Sequence, residues 1–379
     1  MARSCRASDR PRRISVNLIE VSETTRASPL ARIAFAVYVF LTAYASLYPL
    51  EGWHHLGASP FGFVLAHWPR YVSGFDMAAN VLGYVPFGLF CVAALYPRVR
   101  GAKAFAIATS AGAALSLLLE AGQTYLPTRD ASNLDVLCNS AGAACGAALA
   151  LKAVPWMLDR GPLKRLRDAM FLAGVEVDAG LVLIGLWLFV QLNPATLLFG
   201  AGSLRDLVVA QEGRARTADF FVLVETLTAS ANLVAFALLL SALTTSARWA
   251  RQMLLALLAV ALVVKSAAFA LLMRSDSVLG WLTPGAELGL VIGIAVSLGA
   301  LTLPRTARLA LAAVLLMAGT VLVNLAPPNP YFTATLKVWQ QGHFLNFNGL
   351  TRLVSSAWPF VALAYLIFLA ARRVREPVS

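Results

Sequence analysis

Two stretches hold the side chains with chemical capacity, and both lie before residue 150. The first is Asp76-Met-Ala-Ala-Asn80, leading into Pro86-Phe87-Gly88. The second is Glu120-x-x-Gln123, then Arg129, then Asp135-x-x-x-Asn139-x-x-Gly142-x-x-x-Gly146. A carboxylate such as Glu120 or Asp135 can serve as a general base, which makes these two the catalytic candidates. The Arg129 guanidinium can pair bidentately with a phosphate or carboxylate. Asp76 and the carboxamides of Asn80, Gln123 and Asn139 can fix hydroxyl, amine or amide groups, so with Arg129 they form a candidate binding shell. The set contains no nucleophile–base pair and no metal-ligand spacing, so no metal or cofactor is implied.

The surroundings of these groups are unusual for polar chemistry. The chain is 59% hydrophobic and 13% charged, with a mean hydropathy of +0.71. A soluble domain carries about 25% charged residues. Long apolar runs recur from residue 31 to residue 371, without the alternation of a membrane barrel. The fold class expected is an all-α, polytopic transmembrane bundle. Ionisable groups inside such segments are expensive and point to function by default.

About ten spans fit the hydropathy, near 31–50, 75–96, 102–124, 134–155, 170–192, 219–243, 252–273, 281–303, 309–326 and 353–371. With the N-terminus inside, the outer segments hold only Arg70, Arg129, Arg205, Arg214, Arg216, Arg274, Lys337 and Arg352. All other members of the 31 Lys and Arg are inner, except Lys265 within a span. This bias predicts that both termini are cytoplasmic. The net charge of +12 therefore reflects membrane sorting, and no nucleic-acid partner is implied.

The topology gathers the polar set at the extracytoplasmic face. Asp76 and Asn80 open the second span, Glu120 and Gln123 close the third, and Asp135 and Asn139 open the fourth. Asp76, Asn80, Gly83 and Phe87 share one helical face, as do Asp135, Asn139, Gly142 and Gly146. The Gly142/Gly146 pair lets another backbone approach closely. Pro86 removes a helical donor and frees a carbonyl within the membrane.

Residues 1–29 read as a disordered cytoplasmic tail, 30–155 as a four-span module, and 156–379 as a second bundle of about six spans. The pair Gly289-x-x-x-Gly293, with Asn232 standing roughly where Asn80 does, makes the second bundle a candidate degenerate repeat. Aromatic-rich stretches around Trp53–Tyr71 and Ala326–Asn348 read as outer interfacial segments. Of the four cysteines, Cys91, Cys138 and Cys145 read as core thiols. Lys265 is expected to pair with Glu225 or Glu287.

The ordered combination Asp76, Asn80, Pro86, Gly88, Glu120, Gln123, Arg129, Asp135, Asn139, Gly142 and Gly146 resembles the VanZ-like family. The likeness covers about residues 30–155. Phe87 stands where that family usually has an aliphatic residue, and some 220 further residues carry no comparable motif. The family is associated with glycopeptide resistance, teicoplanin in particular. The resemblance implies a multi-pass protein of the bacterial inner membrane with a role in the cell envelope.

Three readings follow. The first is an outer-face site that recognises or processes a membrane lipid, lipid-linked envelope precursor or other amphiphile. The second is a secondary transporter. The third is a structural latch in which Glu120, Arg129 and Asp135 form ion pairs. A site predicts an outer pocket lined by the seven polar residues; a latch predicts carboxylates satisfied by Arg129. Oligomeric state is not legible in the sequence.

Overall fold

The computed structural model describes residues 28–55, 57, 59–69, 73–159, 161–205, 217–273, 278–326 and 345–373. The Arg-rich start of the chain, the loop through Arg214 and Arg216, and the stretch through Lys337 and His343 lie outside them. The described residues form eleven α-helices, and no strand occurs among them beyond a single bridge between Phe171 and Thr244. The helices are α1 (Pro29–Leu47), α2 (Gly74–Leu95), α3 (Gly101–Gln123), α4 (Asn133–Leu158), α5 (Pro162–Met170), α6 (Val175–Val190), α7 (Ala218–Leu243), α8 (Ala247–Met273), α9 (Pro284–Ala300), α10 (Arg305–Leu325) and α11 (Leu345–Arg373).

Each expected span coincides with a helix, and eight helices are long and apolar enough to cross a membrane. The exceptions are α6, with 16 residues, and α9, with 17. At a rise of 1.5 Å per residue, α6 covers about 24 Å, short of the ~30 Å hydrocarbon core. Its start is set by Gly174, whose φ of 139° only glycine adopts readily. Beyond Val190 the chain continues as a non-helical segment, residues 191–205, most of it buried. Backbone without helical pairing at membrane depth must find its partners in the protein.

The caps explain where the two central module helices begin. Ser73 Oγ accepts from the Asp76 amide at 3.5 Å. Ser132 Oγ accepts from Leu134 at 3.2 Å and from Asp135 at 3.4 Å. Both helices thus open with Ser-x-x-Asp, a capped first turn with a carboxylate on the positive end of the dipole.

Small residues bring the module together. Ala104, Ala108, Ala143, Ala147 and Ala150 are fully buried. A Cβ on Gly142 would meet the Val81 carbonyl, one on Gly146 the Val85 carbonyl, and one on Gly88 the Ala143 carbonyl. Backbone therefore lies on backbone where α2 meets α4, and both glycine pairing and the Pro86-Phe87-Gly88 motif serve that crossing. Beside Pro86, the Tyr38 hydroxyl of α1 donates to the Gly83 carbonyl at 2.6 Å. It supplies a donor in the turn where proline disrupts the helical ladder.

The later helices gather around α7, which is enclosed by α6, α8, α9 and α10, and α1 packs against α6 and α11. Trp187 of α6 stacks on Phe236 of α7 at 3.7 Å and on Phe199 of the non-helical segment at 5.5 Å. Gly289 and Gly293 of α9 pack against Ala229 and Leu233 of α7. Asn232 faces Gly319 of α10, whereas Asn80 faces α4.

Candidate functional site

The seven polar residues converge at one end of the module, where α1 and α3 finish and α2 and α4 begin. They divide into an internal lock and a more open cluster.

The lock contains Gln123, Arg129 and Glu120. Gln123 is buried and donates to Ser46 at the end of α1, to its carbonyl at 3.1 Å and its hydroxyl at 2.9 Å. Arg129 lies in the α3–α4 loop. Its Nε donates to the Tyr48 carbonyl at 3.0 Å, and its terminal nitrogen reaches the same carbonyl and Asn346 Oδ1 of α11. Burial lowers the Arg129 pKa from its ordinary value, and the nearby Glu120 carboxylate opposes that shift. Glu120, 3% exposed, accepts from the Ser132 backbone amide at 2.9 Å. Its carboxylate thus holds the residue that caps α4.

Among the described residues, the ion pairs of the alternative latch reading, Arg129 with Glu120 or Asp135, do not form. The ion pairs that form include Arg167 with Asp168 and Asp178, and Arg372 with Glu176. Arg129 instead spends its donors on a carbonyl and a carboxamide. The physical reason is position: it sits beyond the end of α3, level with the unpaired carbonyl of Tyr48 after α1.

The open cluster contains Asp76, Asn80, Asp135 and Asn139. Asp76 is exposed, while Asn80 and Asp135 are half-buried. The Asn80 side chain and the Asp76 carboxylate both lie close enough to the Asp135 carboxylate to interact with it electrostatically. One turn inward on the same face of α4, Asn139 is 6% exposed. Its Nδ2 donates to Ser116 Oγ at 2.9 Å, and its Oδ1 has no partner. Groups of this cluster are mostly acceptors, so it suits a ligand rich in N–H or O–H donors.

Sequence reasoning did not single out Ser116 and Tyr84. Ser116 precedes Glu120 by one turn, and Tyr84 follows Asn80 by one turn. Both are buried, and they interact with each other beneath the cluster. The i, i+4 step inward from a marked polar residue was the available signal.

Two cavities adjoin the module, and none of the seven residues lines either. One, of about 500 Å³, lies between the short 3-10 turn Gly62–Leu65 and the faces of α3 and α4 bearing Leu117, Val136 and Ser140. It adjoins the cluster end, since Asn133 of its lining bonds the Ala66 carbonyl at 2.8 Å. The other, of about 140 Å³, lies at the opposite end by Tyr96, Arg100 and Asp159.

In the second bundle Lys265 is 1% exposed. It does not bond Glu225 or Glu287 as expected. Its ammonium donates to the carbonyls of Asn193 and Thr196, each at 2.8 Å, and to the Thr196 hydroxyl at 3.2 Å. Glu225 interacts with it only at longer range, and Glu287 is exposed. The cation is thus committed to the non-helical segment after α6.

This combination of apolar helices, buried charge and polar helix ends defines a multi-pass helical membrane protein. Residues 23–155 match the model of the VanZ/LLP1 family, and this part of the chain is a VanZ-like module. Comparison with curated proteins and with solved structures gave no match.

Proposed function

We propose that the VanZ-like module recognises the polar headgroup of an envelope amphiphile at the extracytoplasmic face of the inner membrane. One observation carries this reading. Asp76, Asn80 and Asp135 crowd the shared start of α2 and α4, above a buried Asn139 acceptor that has no partner. A buried unsatisfied acceptor costs about 1–3 kcal/mol, a cost that a ligand donor reaching it would offset. The positive-inside bias supports an outer position for this end. Arg129 serves the lock, so the ligand feature selected here is a hydroxyl or amine rather than a phosphate. Candidate ligands are a lipid-linked envelope precursor and a lipid-tailed glycopeptide such as teicoplanin.

The test uses Asn80→Ala and Asp135→Asn in the full chain, expressed in a teicoplanin-sensitive host. Both variants should accumulate in membranes and stay monodisperse in detergent, and both should lose protection against the drug. Native mass spectrometry of the purified proteins should show loss of a co-purifying amphiphile. Unchanged protection and unchanged lipid retention in both variants would sink the proposal.

A secondary transporter is the second reading, favoured by Lys265 and the buried non-helical segment at membrane depth. Broken helical structure of this kind lines substrate sites in carriers. Proteoliposome uptake that depends on Lys265 but not on Asn80 or Asp135 would select it.

A further inference from the structure

We propose that α5 is an interfacial anchor that binds the anionic phosphodiester headgroups of the leaflet opposite the polar cluster. This surface is separate from the headgroup site proposed above. The nine-residue helix has no buried residue. Leu163, 38% exposed, and Leu166, 45% exposed, stand three positions apart, with Met170 following at the next turn. Lys164 and Arg165 are exposed beside them. An apolar stripe flanked by basic residues is the pattern of a helix lying in a membrane surface.

Its anchoring is confined to one end. The Thr245 amide donates to the Met170 carbonyl at 2.9 Å and the Leu172 amide to the Leu243 carbonyl at 2.8 Å. Thr245 Oγ1 donates to the Ala169 carbonyl at 2.7 Å. Arg167 is tied to Asp178 at 2.5 Å and to Asp168 at 3.1 Å. That pairing neutralises the one acid of α5 and leaves Lys164 and Arg165 as its net charge. The helix is therefore fixed at the level where α4 ends and α6 begins, with its length uncovered.

Charge complementarity identifies the partner. Arg98, Arg100, Lys103 and Lys152 are exposed at the same end of the module. Trp156, 56% exposed, stands among them, as expected of an aromatic at a bilayer interface. Basic residues near an anionic leaflet gain about 1 kcal/mol each, a factor of roughly five.

The experiment is hydrogen exchange of the segment 162–170, with the full chain in phosphatidylcholine nanodiscs and in discs containing one part in three phosphatidylglycerol. The anionic discs should slow exchange at least about fivefold. High salt should shrink the difference. The double variant Lys164→Gln/Arg165→Gln should abolish it, with exchange in α2–α4 unchanged as the folding control. Leu163→Ser/Leu166→Ser should speed exchange in both discs. Equal wild-type exchange in the two discs overturns the proposal, as does equal slowing in the charge variant. Slowing in neutral discs on addition of polyglutamate would assign the surface to an acidic protein and also overturn it.

Discussion

Arg129 donates a guanidinium hydrogen bond to Asn346 Oδ1, 217 positions further along the chain. The arginine of the VanZ-like motif thus holds the start of the last helix of the second bundle. It also holds the Tyr48 carbonyl, and a Cβ on Gly349 would run into the Tyr48 ring. One cation ties the end of α1, the α3–α4 loop and α11 together.

Arg129→Ala should therefore destabilise the whole chain by about 2–4 kcal/mol, since it strands a carbonyl and a carboxamide together. Asn346→Ala should cost about 1–2 kcal/mol, because Arg129 keeps the Tyr48 carbonyl. Arg129→Lys should recover little, as an ammonium lacks the planar fork that reaches both acceptors. Thermal unfolding in detergent measures all three. An Arg129→Ala protein as stable as wild type would show that the two bundles associate without this contact.

The glycines of the α2–α4 crossing separate packing from exposure. Gly88→Ala and Gly146→Ala place a methyl group inside a facing carbonyl. Each should cost about 3 kcal/mol or more, at the upper end of overpacking penalties, because backbone cannot step aside. Gly83 has nothing within 4 Å of a Cβ, so Gly83→Ala should be neutral or gain about 0.5–1 kcal/mol from helix propensity. Equal effects at Gly83 and Gly146 would mean that the helices are not in backbone contact.

Glu120 and Ser116 offer a test of the buried polar network. Glu120→Ala leaves the Ser132 amide without an acceptor and should cost about 1–3 kcal/mol. Glu120→Gln keeps an acceptor and should lose less than half as much. Ser116→Ala strands Asn139 Nδ2, and the double variant Ser116→Ala/Asn139→Leu should be less damaging than the sum of its parts. Additive losses would show that the two side chains act independently.

What the sequence disclosed and what it withheld follow from the range of the interactions. The spacing of Asp135, Asn139, Gly142 and Gly146 is local, so the face of α4 that meets α2 is read directly from helical periodicity. The apolar runs are equally local, and each expected span is a helix. The partners of Arg129 are not local: Tyr48 contributes a backbone carbonyl, and Asn346 is one carboxamide in a distant segment. Lys265 likewise bonds carbonyls, which leave no side-chain signature. Hydropathy also hid α5. Pro162 at its first position and Gly174 before α6 divide one region into a short amphipathic helix and a shortened span, where an averaged window shows only the apolar part.

Lys265 gives the last prediction. Its ammonium supplies three hydrogen bonds to Asn193 and Thr196, and water has no access to replace them at 1% exposure. Hydrogen bonds to charged groups contribute about 1.5–3 kcal/mol each, but removing the cation also relieves its own desolvation. Lys265→Met should therefore destabilise by a net of about 2–4 kcal/mol. The loss should appear as faster hydrogen exchange in residues 191–204, with the α2–α4 module little affected. Thr196→Val removes the 3.2 Å contact and the bond its hydroxyl donates to the Asn193 carbonyl at 3.1 Å, and should cost about 1–2 kcal/mol. If Lys265→Met left that segment fully protected, the non-helical backbone would have to be held by its contacts to α10 and α11, chiefly those of Asn324 with Leu204 and Gly202, of Gly202 with Ser355 and of Ser356 with Ser203. Asn324→Ala combined with Ser356→Ala would then produce the loss that Lys265→Met did not.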